Sequence, residues 1–137
     1  MAKEIVRDGE GANKIIEVKV EGANSREEAR SGAITVASST LVKTAIHGND
    51  PNWGRIVAAL GRSKCEIIEE KIALYINDIC IMESGIPTPF PRDSVVAIMS
   101  GEEVVIRLNL NLGSENATAW GCNLSEEYVT FNSAYTT

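Results

Sequence analysis

The chain has 137 residues, 44 % of them hydrophobic, and a formal charge of -6 at pH 7. That length suits a single domain over 1–137, able to bury roughly two-thirds of the surface its unfolded form exposes. Acidic and basic residues are interspersed, as in Arg26-Glu27-Glu28-Ala29-Arg30, and no basic stripe exists to follow a phosphate backbone, which excludes nucleic acid as a partner.

Residues 3–7 read as the end of a helix stopped by Gly9 and Gly11. The chain is therefore expected to begin partway into a larger architecture, with 1–13 a leading segment that carries a Gly-Glu-Gly turn. From Lys14 to Glu21, the apolar Ile16, Val18 and Val20 alternate with Glu17, Lys19 and Glu21, the pattern of a half-buried strand that Gly22-Ala23-Asn24 ends. Ser25 followed by Glu28 is a capping box, in which each side chain takes a backbone N–H at a helix start. Ala29, Ala33, Val36 and Ala37 then recur at helical spacing, and their small size predicts a helix lying close against its neighbour. Gly32 weakens that helix by up to about 1 kcal/mol relative to alanine.

Beyond the turn His47-Gly48-Asn49, Asp50 is placed as an N-cap and Pro51 as the first helical residue. Trp53, Ile56, Val57 and Leu60 form the buried face of this helix, and Gly61 is expected to end it in a left-handed conformation. Ile72, Leu74 and Ile76 alternate with Ala73, Tyr75 and Asn77, and the turn signal Asn77-Asp78 leads into a second strand over 79–84, giving a hairpin. Three prolines in the stretch 86–91 predict an extended loop without regular pairing. Asp93 is expected to cap a short helix through Val95, Val96 and Met99, ended by Gly101. Val104, Ile106, Leu108, Leu110 and Leu112 alternate strictly with Val105, Arg107, Asn109 and Asn111, the strongest strand pattern in the chain. Two last strands, 117–124 and 128–134, join across Ser125-Glu126-Glu127. Strands and helices mixed without regular alternation predict an α+β fold with a mostly antiparallel sheet and two or three helices.

No run reaches about eighteen apolar residues, and the first eight residues lack the apolar core of a signal peptide, so the expectation is a cytoplasmic protein with no membrane partner. Cys65, Cys80 and Cys122 are widely spaced and odd in number, which favours reduced thiols over disulfides or zinc. A single histidine and no cluster of ligands predict no metal and no other cofactor.

Several groups could do chemistry. Glu10 sits between Gly9 and Gly11, where a ligand can approach the carboxylate closely, although such runs are more often ordinary acidic turns. Arg55 can hold a carboxylate in a forked pair or tie its helix to a neighbouring carboxylate or carbonyl; the second is preferred, because Pro51 and Trp53 already have local explanations. Lys43, in the apolar stretch 41–45, is expected to bury its stem and reach solvent. His47 reads as a turn residue before it reads as a base. Asn132 interrupts an apolar strand beside Tyr128, Phe131 and Tyr135, and its amide suits either end of an amino acid or a backbone partner. Thr137 adds a hydroxyl and a carboxylate at a chain end, where fraying is usual.

The stretches Asp8-Gly9-Glu10-Gly11-Ala12-Asn13-Lys14, Leu41-Val42-Lys43-Thr44-Ala45, Gly48 through Ile56, Ala117-Thr118-Ala119-Trp120-Gly121-Cys122 and Tyr135-Thr136-Thr137 occur in an order that resembles the ornithine acetyltransferase family, the bifunctional glutamate N-acetyltransferases of arginine biosynthesis. Asn13 stands where that family usually has threonine, and Ser133 and Ala134 where it has alanine and aspartate. The resemblance implies the C-terminal part of the β chain, with a β-grasp-like domain, acting on N-acetylornithine and glutamate through an acetyl-threonine. It carries three substrate-binding positions onto this sequence, namely Glu10, Asn132 and Thr137, and no catalytic residue. No Gly-Thr or Thr-Met dipeptide occurs, so the nucleophile and oxyanion groups are expected on another protein segment, in a hetero-oligomer. The alternative from another class is a non-catalytic amino-acid-binding or interaction module descended from such an enzyme.

Overall fold

The computed structural model describes residues 14–122 and 129–132. Strand β1 (Ile15–Ala23) is followed by helices α1 (Arg26–Ser38), α2 (Thr40–His47) and α3 (Trp53–Gly61), a 3-10 turn (Glu69–Lys71) and strands β2 (Ala73–Ile76), β3 (Ile79–Glu83) and β4 (Ile86–Pro87). Helix α4 (Arg92–Met99) then precedes β5 (Glu103–Asn109), β6 (Glu115–Cys122) and β7 (Val129–Asn132). The α+β class holds. Among the described residues four α-helices appear where two or three are expected, and the predicted helix over 3–7 lies outside the described residues.

The strands form one sheet in the order β4-β3-β2-β5-β1-β6-β7. Every described pairing is antiparallel except β1 with β5, which run parallel from Ile15 opposite Glu103 to Glu21 opposite Asn109. The sheet is therefore mixed. The parallel pair is joined by the long excursion through α1–α4 and the β2–β3 hairpin, as a parallel crossover requires.

Period-two burial follows the apolar pattern. Ile16, Val18 and Val20 of β1 and Val104, Ile106 and Leu108 of β5 have no exposed surface, and they join Ala29, Ala33 and Val36 of α1, Ile56 and Leu60 of α3 and Val95 and Met99 of α4 in one core. Gly32 belongs to that packing rather than merely weakening the helix. A Cβ there would stand 3.0 Å from Leu60 Cδ1 and 3.5 Å from Val20 Cγ2, so glycine lets α1 approach both. On the reverse face Arg107 lies 4.0 Å over the ring of Tyr75 and 3.2 Å from Glu21 Oε1. Such half-exposed contacts are worth at most about 1 kcal/mol each.

Several boundaries differ from the sequence pattern. Ser25 Oγ accepts the Glu28 N–H as expected, but the Glu28 carboxylate accepts the N–H of Glu66 at 2.8 Å, so it joins α1 to the loop after α3 rather than closing a capping box. The N-cap of α3 is Asn52, whose Oδ1 accepts the Arg55 N–H at 3.0 Å, and not Asp50. Trp53 consequently falls in the first turn and is 38 % exposed rather than buried. Gly61 is the last residue of α3, and the chain leaves through Arg62 at φ -87°, without a left-handed residue. Pro91, not Asp93, stands at the N-cap of α4. Part of the proline stretch does pair: Pro87 and Ile86 lie opposite Met82 and Glu83, at the sheet edge where a missing N–H is tolerated.

Cys65 is 7 % exposed, and burial first, then the charges of Glu28 and Glu66, push its thiol up to about 11 from an ordinary 9.0. Between those values the unfolded thiol loses its proton while the folded one keeps it, so the stabilisation is complete below pH 9 and falls as pH rises towards about 11. Lys14, lowered from 10.5 by burial, acts with the opposite sign at alkaline pH. Comparing the wild type with Cys65→Ala isolates the thiol. The urea midpoint of the wild type is expected to drop more between pH 8 and 11, and equal drops would remove Cys65 as the cause.

Candidate functional site

Of the three expected substrate contacts, Glu10 and Thr137 lie outside the described residues. The backbone of Asn132 ends β7 opposite Thr118, which is itself opposite Lys19 of β1. The best-defined polar assembly in the described chain is the corner between α2 and α3, residues 47–52, with the side chains that converge on it.

Helix α2 went unrecognised as a separate element. Ser39 ends α1 and starts α2 with one extended conformation (φ -68°, ψ 125°), and its Oγ accepts the Val42 N–H at 3.3 Å. The helix places Lys43 inward with Val42, Ala45 and Ile46, leaving it 4 % exposed. Lys43 therefore does not reach solvent. His47 occupies the last turn of α2 on the exposed side instead of a free turn.

Beyond His47 the chain reverses through Asn49 in a left-handed conformation (φ 55°), which asparagine tolerates better than most residues. The Asp50 N–H donates to Ala45 O at 2.8 Å and the Asn52 N–H to Asp50 O at 2.7 Å. Asn52 Nδ2 donates to Asp50 Oδ2 at 3.1 Å, and Arg92 of α4 stands 3.6 Å from Asp50 Oδ1. Asp50 thus braces the residue that caps α3. Arg55 Nη1 donates to Leu41 O at 3.3 Å, the carbonyl tie preferred for it, and links α3 back to α2.

Lys14 completes the corner. It is 8 % exposed, and its Nζ donates to Ile46 O at 2.9 Å and to Asn49 Oδ1. Both acceptors are neutral, and burial lowers the ammonium below its ordinary value. Pattern alone does not reveal this role, because a lysine at the head of an alternating strand looks the same whether solvated or buried. Nearby, Trp53, Gly54, Val57, Ala58, Gly61, Ile67 and Glu69 line an open groove, in which Glu69 is the one charged side chain. Among the described residues, no group of three or more His, Cys, Asp or Glu side chains is placed to hold a metal, and no helix is long and apolar enough to cross a membrane.

These features define an α+β protein whose helices and mixed sheet share one core, with a braced polar corner at the start of its central parallel pair. The chain belongs to the ArgJ family, whose model matches residues 1–137. It is 48 % identical to the arginine biosynthesis bifunctional protein ArgJ of Prochlorococcus marinus (strain NATL2A), over all of this chain and 35 % of that relative. It is 50 % identical to the protein of the same name from Parasynechococcus marenigrum, again over all of this chain and 34 % of the other. The crystal structure of the arginine biosynthesis bifunctional protein argJ from Bacillus halodurans superposes with a TM-score of 0.86 at 44 % identity, covering 92 % of this chain and 60 % of that one. The chain spans about a third of the length of the curated relatives it matches.

Proposed function

We propose that this chain is the substrate-binding, C-terminal portion of a glutamate N-acetyltransferase of arginine biosynthesis, working in the cytoplasm. The observation that carries this reading is the match to the ArgJ family along the whole chain, at 48 to 50 % identity to two relatives about three times its length. The enzyme moves the acetyl group of N-acetylornithine to glutamate. A threonine hydroxyl supplied by another segment attacks the acetyl carbonyl, the C–N bond breaks, and ornithine leaves with its amine protonated. The glutamate amine then attacks the acetyl-threonine ester, the C–O bond breaks, and the threonine hydroxyl is restored.

In this division of labour Glu10 holds the substrate's α-amine and relays its proton, while Asn132 and Thr137 fix the remainder of the amino acid. Without a Gly-Thr or Thr-Met dipeptide, the chain supplies binding groups and awaits a nucleophile from its partner segment in a hetero-oligomer.

The test is reconstitution. Alone, the chain is expected to form no acetylglutamate from N-acetylornithine and glutamate above a protein-free blank. Mixed with a polypeptide supplying the remaining two-thirds of the family's length, it is expected to restore transfer. Turnover by the isolated chain overturns the proposed division, and a stable but inactive complex identifies a non-catalytic module instead.

A further inference from the structure

We propose that the open groove along α3, lined by Trp53, Gly54, Val57, Ala58, Gly61 and Ile67, is a docking surface for the remaining two-thirds of the ArgJ-family polypeptide. The proposal rests on the reading of this chain as one part of a longer enzyme, and it names the face by which the two parts meet.

Three observations carry it. The first is Trp53. A tryptophan side chain gains much from burial, yet Trp53 stands 38 % exposed in the first turn of α3. Ile68, 39 % exposed, lies in the chain between the groove residues Ile67 and Glu69. Single exposed apolar residues are ordinary. Two large ones beside Val57 and Ile67 make a patch of the kind that marks interaction surfaces.

Second, the small residues of the groove serve no packing among the described residues. Gly54, Ala58 and Gly61 recur at helical spacing along one flank of α3, while Ile56 and Leu60 enter the core. A Cβ on Gly54 would meet Asn52 Oδ1 at 3.4 Å, and one on Gly61 would meet Ile67 Cδ1 at 4.0 Å, both ordinary contacts. Neither glycine has a positive φ. Alanine would favour the helix at both positions, so what glycine adds there is room for a neighbour to approach closely.

Third, charge selects the occupant. Glu69 is the one charged side chain in the lining. A two-fold contact through this groove would set the same patch on both sides. It would bring two Glu69 carboxylates into one interface, between chains that each carry -6, and like charges there oppose association. A different polypeptide can present an apolar ridge with a cation opposite Glu69. The family supplies one, because the relatives are about three times as long as this chain and the rest of their length needs a face to pack on.

The experiment mixes this chain with a polypeptide supplying the remaining family length, and follows tryptophan emission, affinity and acetyl transfer in the same samples. Mixing is expected to shift the emission to the blue, and Trp53→Phe, which leaves Trp120 in place, to remove most of that shift. Ala58 is exposed, so Ala58→Arg is expected to leave the urea midpoint of the isolated chain unchanged. It should nevertheless weaken association about a hundredfold or more, since a bulky cation in the groove would have to lose its water.

Equal affinity for Ala58→Arg and wild type overturns the groove and leaves the functional reading standing. Association through the groove without acetyl transfer does the reverse. No association of the wild type removes both. Two other results assign the groove to a different occupant and so overturn the proposal. A lowered midpoint for isolated Ala58→Arg would mean that the chain fills its own groove. A homodimer of the isolated wild type that Ala58→Arg splits would mean that a second copy does.

Discussion

Gly22→Ala is expected to lower the unfolding free energy by about 2–5 kcal/mol, a large share of the 5–15 kcal/mol typical of a domain. Gly22 lies at φ +70°, where a side chain costs about 1–2 kcal/mol. An added Cβ would also stand 2.5 Å from Asn109 Oδ1 and 2.7 Å from the backbone nitrogen of Asn111. Neither neighbour gives way easily. Asn109 Oδ1 accepts the Asn111 N–H at 3.0 Å, and the Gly22 carbonyl accepts the N–H groups of Leu112 and Gly113, both at 2.8 Å. The close approach between the end of β1 and the segment leaving β5 would have to open, adding about 1–3 kcal/mol. The measurement is a urea midpoint shift at constant m-value. Gly54→Ala is the control: it lies near the start of α3, its Cβ meets only Asn52 Oδ1 at 3.4 Å, and it should stay within about 1 kcal/mol of wild type. Similar midpoints for the two variants would show that the end of β1 is not close-packed against the segment leaving β5.

The elements legible in the sequence were those whose periodicity is their physical cause. β1 and β5 alternate because one face is buried, and Ile16, Val18, Val20, Val104, Ile106 and Leu108 all reach the core. Direction leaves no such trace, so the parallel pairing of these two strands could not be read from alternation. Capping was legible in kind but not in position. Asp50 and Asn52 are both good caps two residues apart, and Pro51 fits the first helical position after Asp50, yet the structure caps with Asn52 and braces it with Asp50. Helix α2 was hidden because Ser39 is simultaneously the end of one helix and the start of the next. The assignment of Glu10, Asn132 and Thr137 to substrate comes from family resemblance, since pattern alone is equally met by an acidic turn, a backbone-satisfied asparagine and a chain end. Lys14 was invisible by either route, because only the arrival of α2 from some thirty residues downstream, Ile46 O included, buries it.

The second large effect is expected in the middle of the sheet. Ile106 lies in β5 between Ile76 of β2 and Val18 of β1, and it has no exposed surface. Ile106→Ala should destabilise by about 2–5 kcal/mol, combining lost transfer free energy with the cavity left behind. Ile106→Val removes a single methylene and should cost only about 0.5–1.5 kcal/mol. This graded pair separates packing from pairing, because backbone bonds are the same in all three proteins and only buried volume changes. Ile86, 66 % exposed in the edge strand β4, supplies the reference, since its alanine variant should stay within about 0.5 kcal/mol of wild type. The consequence for the site follows from connectivity. β5 is the strand against which β1 begins, so loosening Ile106 should also weaken protection of the Ile15 amide, which donates to Glu102 O. Hydrogen exchange at Ile15 is expected to accelerate in Ile106→Ala and to remain near wild type in Ile86→Ala. Unchanged exchange in the destabilised protein would mean that the start of β1 is held independently of the core.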